Sequence, residues 1–294
     1  MIKIEKLFKR KGLKKIAFLL ILILGIPVFL YQQNNMITTT NIIVESNRLP
    51  ERFDGYRILH LSDLHSKSFG ENQKYLVNKV KKAQPDIIVF TGDLIDSRRY
   101  NEEHSIILME ELAKITEVYY VNGNHEARRW NEYPNLEKTL QQMGVKVLRN
   151  THLPINRDGD QIYIIGIDDP NFDYAMNREG KSVRDVLEIN RWKIDEAQTN
   201  SFKILLSHRP ELFSLYVESN IDITFSGHAH GGQIRLPFIG GLFSPGQGFL
   251  PKYSSGKYEE KDSTLIVSRG LGNSIFPQRL FNRPEIIVVE LKNK

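Results

Sequence analysis

The apolar and polar positions divide the chain into one continuous apolar run and a long series of short ones. From residue 16 to 31 almost every position is apolar, and no charge occurs between Lys15 and Glu45. After a polar stretch at 32–41, short apolar runs recur at 57–62, 87–90, 118–121, 203–207 and 221–226. Their length and their Ile, Val, Phe and Tyr content predict buried strands. Helical spacing fills the gaps at 72–83, 102–114 and 135–143; in the first of these Leu76, Val80 and Ala83 share a face, and Pro85 ends it. A short strand is predicted at 145–148. The segments 153–155 and 162–167, joined around Asp158-Gly159, predict a hairpin. A further helical pattern lies near 183–187, and late strands are expected at 264–267 and 286–291. Three times a strand, a polar loop and a helix follow one another. That is an α/β pattern, in which ligands gather beyond the carboxyl ends of the strands.

Charge changes the reading of the N-terminus. The net charge is +5, yet residues 1–15 alone contribute +6, so the rest of the chain sums to −1. The basic balance therefore gives no support for a nucleic-acid partner. A basic tail at 1–15 before an apolar run at 16–31 predicts a transmembrane anchor, with Lys14 and Lys15 snorkelling to lengthen a short span. The positive-inside rule places the N-terminus in the cytoplasm and the remainder outside. A cleaved signal peptide and a buried core helix are the rival readings. Residues 31–36 offer no small-x-small cleavage site, which favours an anchor that stays. Residues 32–41 read as a linker, and 42–294 as the folded domain. The chain has no cysteine, which excludes thiolate metal sites and disulfides.

The chemistry collects at the strand ends. The 221–226 run leads into Gly227-His228-Ala229-His230-Gly231-Gly232-Gln233. Histidines two apart on an extended chain point the same way, and the flanking glycines permit a sharp turn and a close approach. Neutral imidazole is the commonest metal ligand. Asp63 and His65, Asp93, Asn124 and His208 likewise stand just past apolar runs. Each alone could be a cap or turn residue. Together they are a mixed nitrogen and oxygen set, too large for one tetrahedral ion but suited to two ions sharing a carboxylate.

Asp63-x-His65, Gly92-Asp93-x-x-Asp96, Gly123-Asn124-His125-Glu126, His208 and Gly227-His228-x-His230 resemble, in order, the motif series of the calcineurin-like metallophosphoesterases. The Gly-His-x-His-Gly-Gly-Gln form is similar to the bacterial YkuE/YaeI-type branch, whose members are often membrane-associated. The resemblance runs from about residue 56 to 233. It implies a four-layer αββα sandwich, and the hairpin and late strands fit its second sheet. It also implies two divalent ions, with Mn, Zn or Fe all compatible. One would take Asp63, His65, Asp93 and His230; the other Asp93, Asn124, His208 and His228. It implies hydrolysis of a phosphomonoester or phosphodiester by a hydroxide bridging the ions, with His125 assisting the leaving group and Asp96 orienting His125. The rival readings are a non-catalytic metal-binding scaffold and a nuclease on the same fold. The complete ligand set favours the enzyme, and the near-neutral domain disfavours the nuclease.

Residues 236–253 form an apolar, aromatic stretch broken by glycine and proline, so a loop is expected. It either packs on the second sheet or makes an apolar, membrane-facing lip beside the metals. With the anchor, the second reading suggests a phospholipid or lipid-linked phosphate ester as substrate. Arg269 is expected in a structural salt bridge rather than on the substrate, Asp168 and Asp169 as loop stabilisers, and Arg283-Pro284-Glu285 as structural.

Overall fold

The computed structural model of the chain describes residues 2–172, 182–185, 188, 201–273 and 276–294, with side chains in its first helix at 15 and 19–35. Helix α1 (Ile2–Asn35) is followed by β1 (Thr38–Ser46) and β2 (Arg57–Leu61). Then come α2 (Lys74–Ala83), β3 (Ile87–Thr91), α3 (Glu103–Ala113) and β4 (Val118–Val121). The one-turn helix α4 (Asn124–Ala127) leads to α5 (Tyr133–Gln142) and the short β5 (Lys146–Val147). The hairpin of β6 (Thr151–Arg157) and β7 (Asp160–Gly166) opens the second half, followed by β8 (Lys203–Leu206), α6 (Phe213–Glu218) and β9 (Ile223–Ser226). The last major strands are β14 (Gly256–Glu260), β15 (Ser263–Val267) and β16 (Glu285–Asn293). Between β9 and β14 lie four two-residue strands: β10 (Arg235–Leu236), β11 (Gly240–Gly241), β12 (Phe243–Ser244) and β13 (Gly248–Phe249).

Two mixed six-stranded sheets result, in the orders β1-β16-β2-β3-β4-β5 and β14-β15-β9-β8-β7-β6. The pairs β2/β3, β3/β4, β8/β9 and β9/β15 are parallel. Strands β3, β4, β8 and β9 are buried at every position, as expected where both faces of a parallel sheet are covered. Ile58, Val89, Tyr119 and Val121 of the first sheet meet Ile164, Ile204, Leu206 and Phe225 of the second in one apolar layer. Leu59, Ile88 and Phe90 on the other face pack on Leu76 and Val80 of α2, Leu108 and Leu112 of α3 and Leu136 and Leu140 of α5. Ile165, Leu205 and Leu265 of the second sheet pack on Phe213, Tyr216 and Val217 of α6. The layers therefore run helix, sheet, sheet, helix. Each buried Ile, Leu or Phe contributes roughly 1.5–3 kcal/mol, so three such layers hold the strand ends rigidly.

The structure departs from expectation at three places. Residues 32–41 are not a linker: α1 runs to Asn35, and β1 pairs in parallel with β16 from Thr38↔Glu285 to Ser46↔Asn293. Threonine is polar but β-branched and fits an edge strand, so the folded unit begins before residue 42. No helix among the described residues is long and apolar enough to cross a membrane. The expected span at 16–31 lies within α1, where Gly25, Pro27 and then Gln32 and Gln33 leave the run short of the roughly 20 apolar residues that hydrocarbon requires. The stretch at 236–253 is two small hairpins rather than a featureless loop. The helical pattern at 183–187 falls partly outside the described residues.

A histidine lies between the sheets. His60 on β2 touches the ring of Phe225 edge-on at 5.2 Å, and its Nε2 pairs with Thr91 Oγ1 at 2.8 Å. Burial pushes its pKa from 6.5 down to about 3. A histidine depressed in the fold binds its proton mainly after unfolding. Stability is therefore full above pH 6.5 and falls as the pH drops toward 3. By pH 5 this one group should cost about 2 kcal/mol. Other buried groups also contribute between pH 7.5 and pH 5, so the test is the difference: the stability lost by chelator-treated protein over that interval, measured by urea unfolding, should be smaller in His60→Leu by about 2 kcal/mol.

Candidate metal centre

Four loops converge at the carboxyl ends of β2, β3, β4 and β9, and a fifth follows β8. Asp63 and His65 follow β2, Asp93 follows β3, Asn124 opens α4 after β4, His208 follows β8, and His228 and His230 follow β9. Five of these seven residues have left-handed backbone: Asp63, His65, Asp93, His228 and His230 lie at φ of 53, 49, 52, 65 and 48°. Such a conformation is costly for residues other than glycine and clusters at functional sites. It is held here by backbone bonds between loops, Asp63 N–H to Gly92 O and His65 N–H to Asp93 O, both 3.0 Å. Two glycines allow the loops to touch. A Cβ on Gly227 would lie 1.9 Å from Ser62 Oγ, and one on Gly123 would lie 2.4 Å from Asp93 Oδ1.

The side chains form two groups that share Asp93. Asp63, His65, Asp93 and His230 make one; Asp93, His208 and His228 make the other; within each, the donor atoms lie within 4.8 Å of one another. In the first, His65 Nε2 is 3.1 Å from His230 Nε2 and 3.7 Å from Asp93 Oδ2, while His230 Nε2 is 3.3 Å from Asp63 Oδ1. In the second, His208 Nε2 is 3.3 Å from Asp93 Oδ2, 3.2 Å from Asn124 Oδ1 and 3.2 Å from His228 Nδ1. All seven residues are at least 95 % buried. Lone pairs of nitrogen and oxygen thus face one another with no apolar surface between them, and cations of borderline character fit such sets.

Known proteins agree with this geometry. The profile of the calcineurin-like phosphoesterases matches residues 56–232. The metallophosphoesterase YkuE of Bacillus subtilis is 30% identical over 90% of this chain and 88% of its own length. YkoQ of the same organism is 29% identical over 92% and 98%. A transmembrane protein with a metallophosphoesterase domain from Danio rerio is 27% identical over 86% of this chain and 56% of its own length. The chain belongs to the calcineurin-like phosphoesterase family. It is a metal-dependent hydrolase of phosphoric esters.

Burial and charge set the protonation of this phosphoesterase before any ion binds. Burial pushes His65 down to about 3, and His228 and His230 well below the ordinary imidazole value. These rings are neutral, the form that ligates. Burial also lifts Asp63 to about 7. Burial opposes ionisation of Asp93 too, but the charged His208 beside it, through its charge and its hydrogen bond, outweighs this and holds Asp93 well below the usual carboxylate range. His208 is driven up to about 10 against its own burial, by Asp93 and Asp63. A proton on His208 thus offsets the buried carboxylates where a cation would.

Surrounding residues fix the rings. His208 Nδ1–H donates to Thr91 O at 2.7 Å, which leaves Nε2 facing Asp93. Arg209 is held by Asp169 through Nε and Nη2, and its Nη1 donates to His228 Nε2 at 2.9 Å, so Nδ1 faces the second group. Glu126 accepts from the backbone N–H of Asp93 at 2.9 Å, Ile95 at 3.1 Å and Gly123 at 2.7 Å. That single carboxylate ties the β3 loop to the β4 loop.

His125 and Asp96 differ from expectation in their contact. His125 Nδ1 is 3.6 Å from Asp96 Oδ1, too far for a hydrogen bond, and instead accepts the Ser97 N–H at 3.0 Å. Asp96 Oδ1 accepts the Arg98 N–H at 2.9 Å, which fixes the turn that aims Ser97 at His125. Arg269 pairs with Glu285 at 2.7 Å, and Asp168 with Arg149 at 2.7 Å, both structural.

Sequence reasoning missed Glu126, Arg209 and two arginines at the rim. A cavity of about 60 Å³ is lined by Asp93, Asn124, His125, His228, His230 and Pro245, with Arg98 and Arg128 beside them. The neighbouring cleft, about 330 Å³, runs past His65, Lys67, Asp96 and Arg99. Arg98, Arg128 and Arg209 each follow a motif residue by one to three positions, and that adjacency was the available signal.

Elemental analysis of purified variants checks these roles. Asp93→Asn should abolish binding of ions at both groups. Glu126→Gln, which loses at least one acceptor for the three N–H groups, should retain metal but bind it about 10–100-fold more weakly.

Proposed function

We propose that the chain hydrolyses phosphate esters at two divalent ions held on either side of Asp93. The observation that carries this is the sharing of one buried carboxylate by two complete donor groups. Asp63, His65 and His230 would complete one site, and Asn124, His208 and His228 the other. The set contains no sulfur and accepts Mn, Zn or Fe. Ions so placed supply Lewis-acid activation of water and of the phosphoryl group.

The chain's own residues do the rest. The Ser97 N–H occupies His125 Nδ1, so the neutral ring carries its proton on Nε2, which lies 4.0 Å from Asp93 Oδ2 on the wall of the small cavity. Burial lowers the His125 pKa, which keeps the ring neutral. Its Nε2–H is thereby aimed where the leaving oxygen gains charge, the position at which a fixed donor has most effect. Asp96 acts on His125 through the turn that holds Ser97 and through the charge of its carboxylate 3.6 Å from Nδ1, without a direct hydrogen bond. Arg98 and Arg128 at the rim attract the anionic ester into the cavity.

The finer reading is a substrate at a membrane, a phospholipid or other lipid-linked phosphate ester. It is supported by exposed Leu and Ile residues throughout 19–24 of α1 and by the basic tail that precedes them. The Danio rerio relative is itself named as a transmembrane protein.

A screen of full-length protein supplied with Mn²⁺, Zn²⁺ or Fe²⁺ against soluble monoesters, diesters and phospholipids tests the reading; no turnover with any ion would refute it. His125→Asn should keep both ions and lose about 10²–10⁴-fold in kcat. Asp96→Asn, one step removed from the ring, should lose less.

A further inference from the structure

The two hairpins that follow the His230 loop carry bulky apolar side chains with no cover, at the tip of the first and at the open end of the second. Phe238 is fully exposed (109 %) and Phe249 nearly so (83 %), with Ile239 and Leu250 beside them. Phe238 and Leu250 sit at φ of 67 and 52°, a conformation that turns ordinarily assign to glycine or asparagine. Bulky apolar residues in such positions lower the stability of the folded chain, so a role outside it is the better account.

The hairpins are built onto the metal centre. Leu242 N–H donates to Gly232 O at 3.1 Å and to Ile234 O at 2.9 Å, and Asn282 Nδ2 donates to His230 O at 2.7 Å. Pro245, in the turn between β12 and β13, lines the cavity beside Asp93. They also adjoin the exit of α1. Ile234 bridges Leu280, and the ring of Phe281 lies 5.8 Å from Phe29 of α1. Asn34 near the end of α1 accepts from Arg279 N–H at 2.8 Å and donates to Pro277 O at 3.0 Å. Residues 19–24 of α1 are exposed without interruption, so over these turns the helix is apolar all round. A protein groove would cover one stripe; lipid covers every side.

Charge gives a second, independent indication. No carboxylate side chain occurs from 6 to 44, from 223 to 258 or from 263 to 284, the three segments that carry these exposed residues. Arg235, Lys252 and Arg283 do occur there. From outside these segments the Glu211 carboxylate stands against Gly246, where Arg209 Nη1 lies 3.5 Å from it; segments that carry cations and no carboxylate of their own suit anionic headgroups.

We infer that Phe238 with Ile239 at the tip of the first hairpin, and Phe249 with Leu250 at the open end of the second, insert together with Phe281 into an anionic lipid bilayer beside α1, and so open the metal cavity to phosphates carried on that surface. This rests on the membrane reading above and identifies the surface that makes the contact.

The chain has no cysteine, so Phe238→Cys and Phe249→Cys each accept a single environment-sensitive label in the full-length protein. The variants are reconstituted in phosphatidylcholine vesicles with and without phosphatidylglycerol, and Lys138→Cys on α5 serves as a labelled reference. Spin-labelled lipid should quench the labels at 238 and 249 at least threefold more than the label at 138, aqueous iodide should quench them less, and both differences should grow with phosphatidylglycerol. Equal iodide quenching at all three positions overturns the inference. So does shielding that depends on protein concentration in lipid-free detergent, which would mark a second copy as the occupant. Lipid contact is read whether or not an ester is cleaved, so failure here is distinct from failure of the hydrolytic reading. The double variant Phe238→Ser/Phe249→Ser should lose at least tenfold more turnover on phospholipid in vesicles than on a soluble ester; an equal loss on both counts against the inference.

Discussion

Burial of the Asp93 carboxylate is the constraint to which the rest of the site answers. A buried charge is costly unless it is paired and hydrogen-bonded. Around Asp93 stand His65, His125 and His208, and the His125 N–H donates to its Oδ1 at 2.8 Å. Without an ion the balance rests on a proton held at His208. With two divalent ions the same residues become a ligand set, and the electrostatic strain becomes binding energy. The left-handed backbone at five of the seven positions and the close approaches at Gly123 and Gly227 follow from bringing so many donors to one point.

Such a cluster survives because its surroundings are rigid and apolar. The strands that carry it are buried on both faces and lie in two sheets packed against each other. The loops are short and cross-bonded, and Glu126 fixes the β3 and β4 loops to each other through three backbone donors. Selection of which imidazole nitrogen faces the centre is likewise made outside it: by Thr91 for His208, by Arg209 for His228, and by Ser97 for His125. These outer contacts decide ring orientation, and orientation decides whether a histidine ligates or donates a proton.

The exposed apolar surface of the molecule is organised by the same loops. The His230 loop runs directly into the two exposed hairpins, and the segment at 277–282 clamps both the hairpin base and the end of α1. Lys67, two residues beyond His65, donates to Asn34 O at the end of that helix. The chemical centre and the apolar surface are thus one continuous construction, and displacement of either would reach the other through a few hydrogen bonds.

The strands and their order of use were legible from the sequence because apolar runs ending in Asp, Asn or His state two facts at once: what is buried and where chemistry stands. Strands β2, β3, β4, β8 and β9 appeared within one or two residues of their structural ends, and so did the hairpin of β6 and β7. Strand β1 was not legible, since three threonines in a row look polar and become a strand only when β16 lies alongside. Nor was the contact of His125 with Ser97 rather than Asp96, because a spacing of three residues cannot tell a side-chain bond from a backbone one. The sequence by itself determined which residue types could meet at strand ends, since periodicity depends only on local geometry. Only the tertiary structure decided which nitrogen of each ring faces the centre, that Glu126 and Arg209 hold it, and that residues 277–282 join the base of the hairpins to the end of α1, because those relations join residues up to some 250 positions apart and exist only once the two sheets have closed.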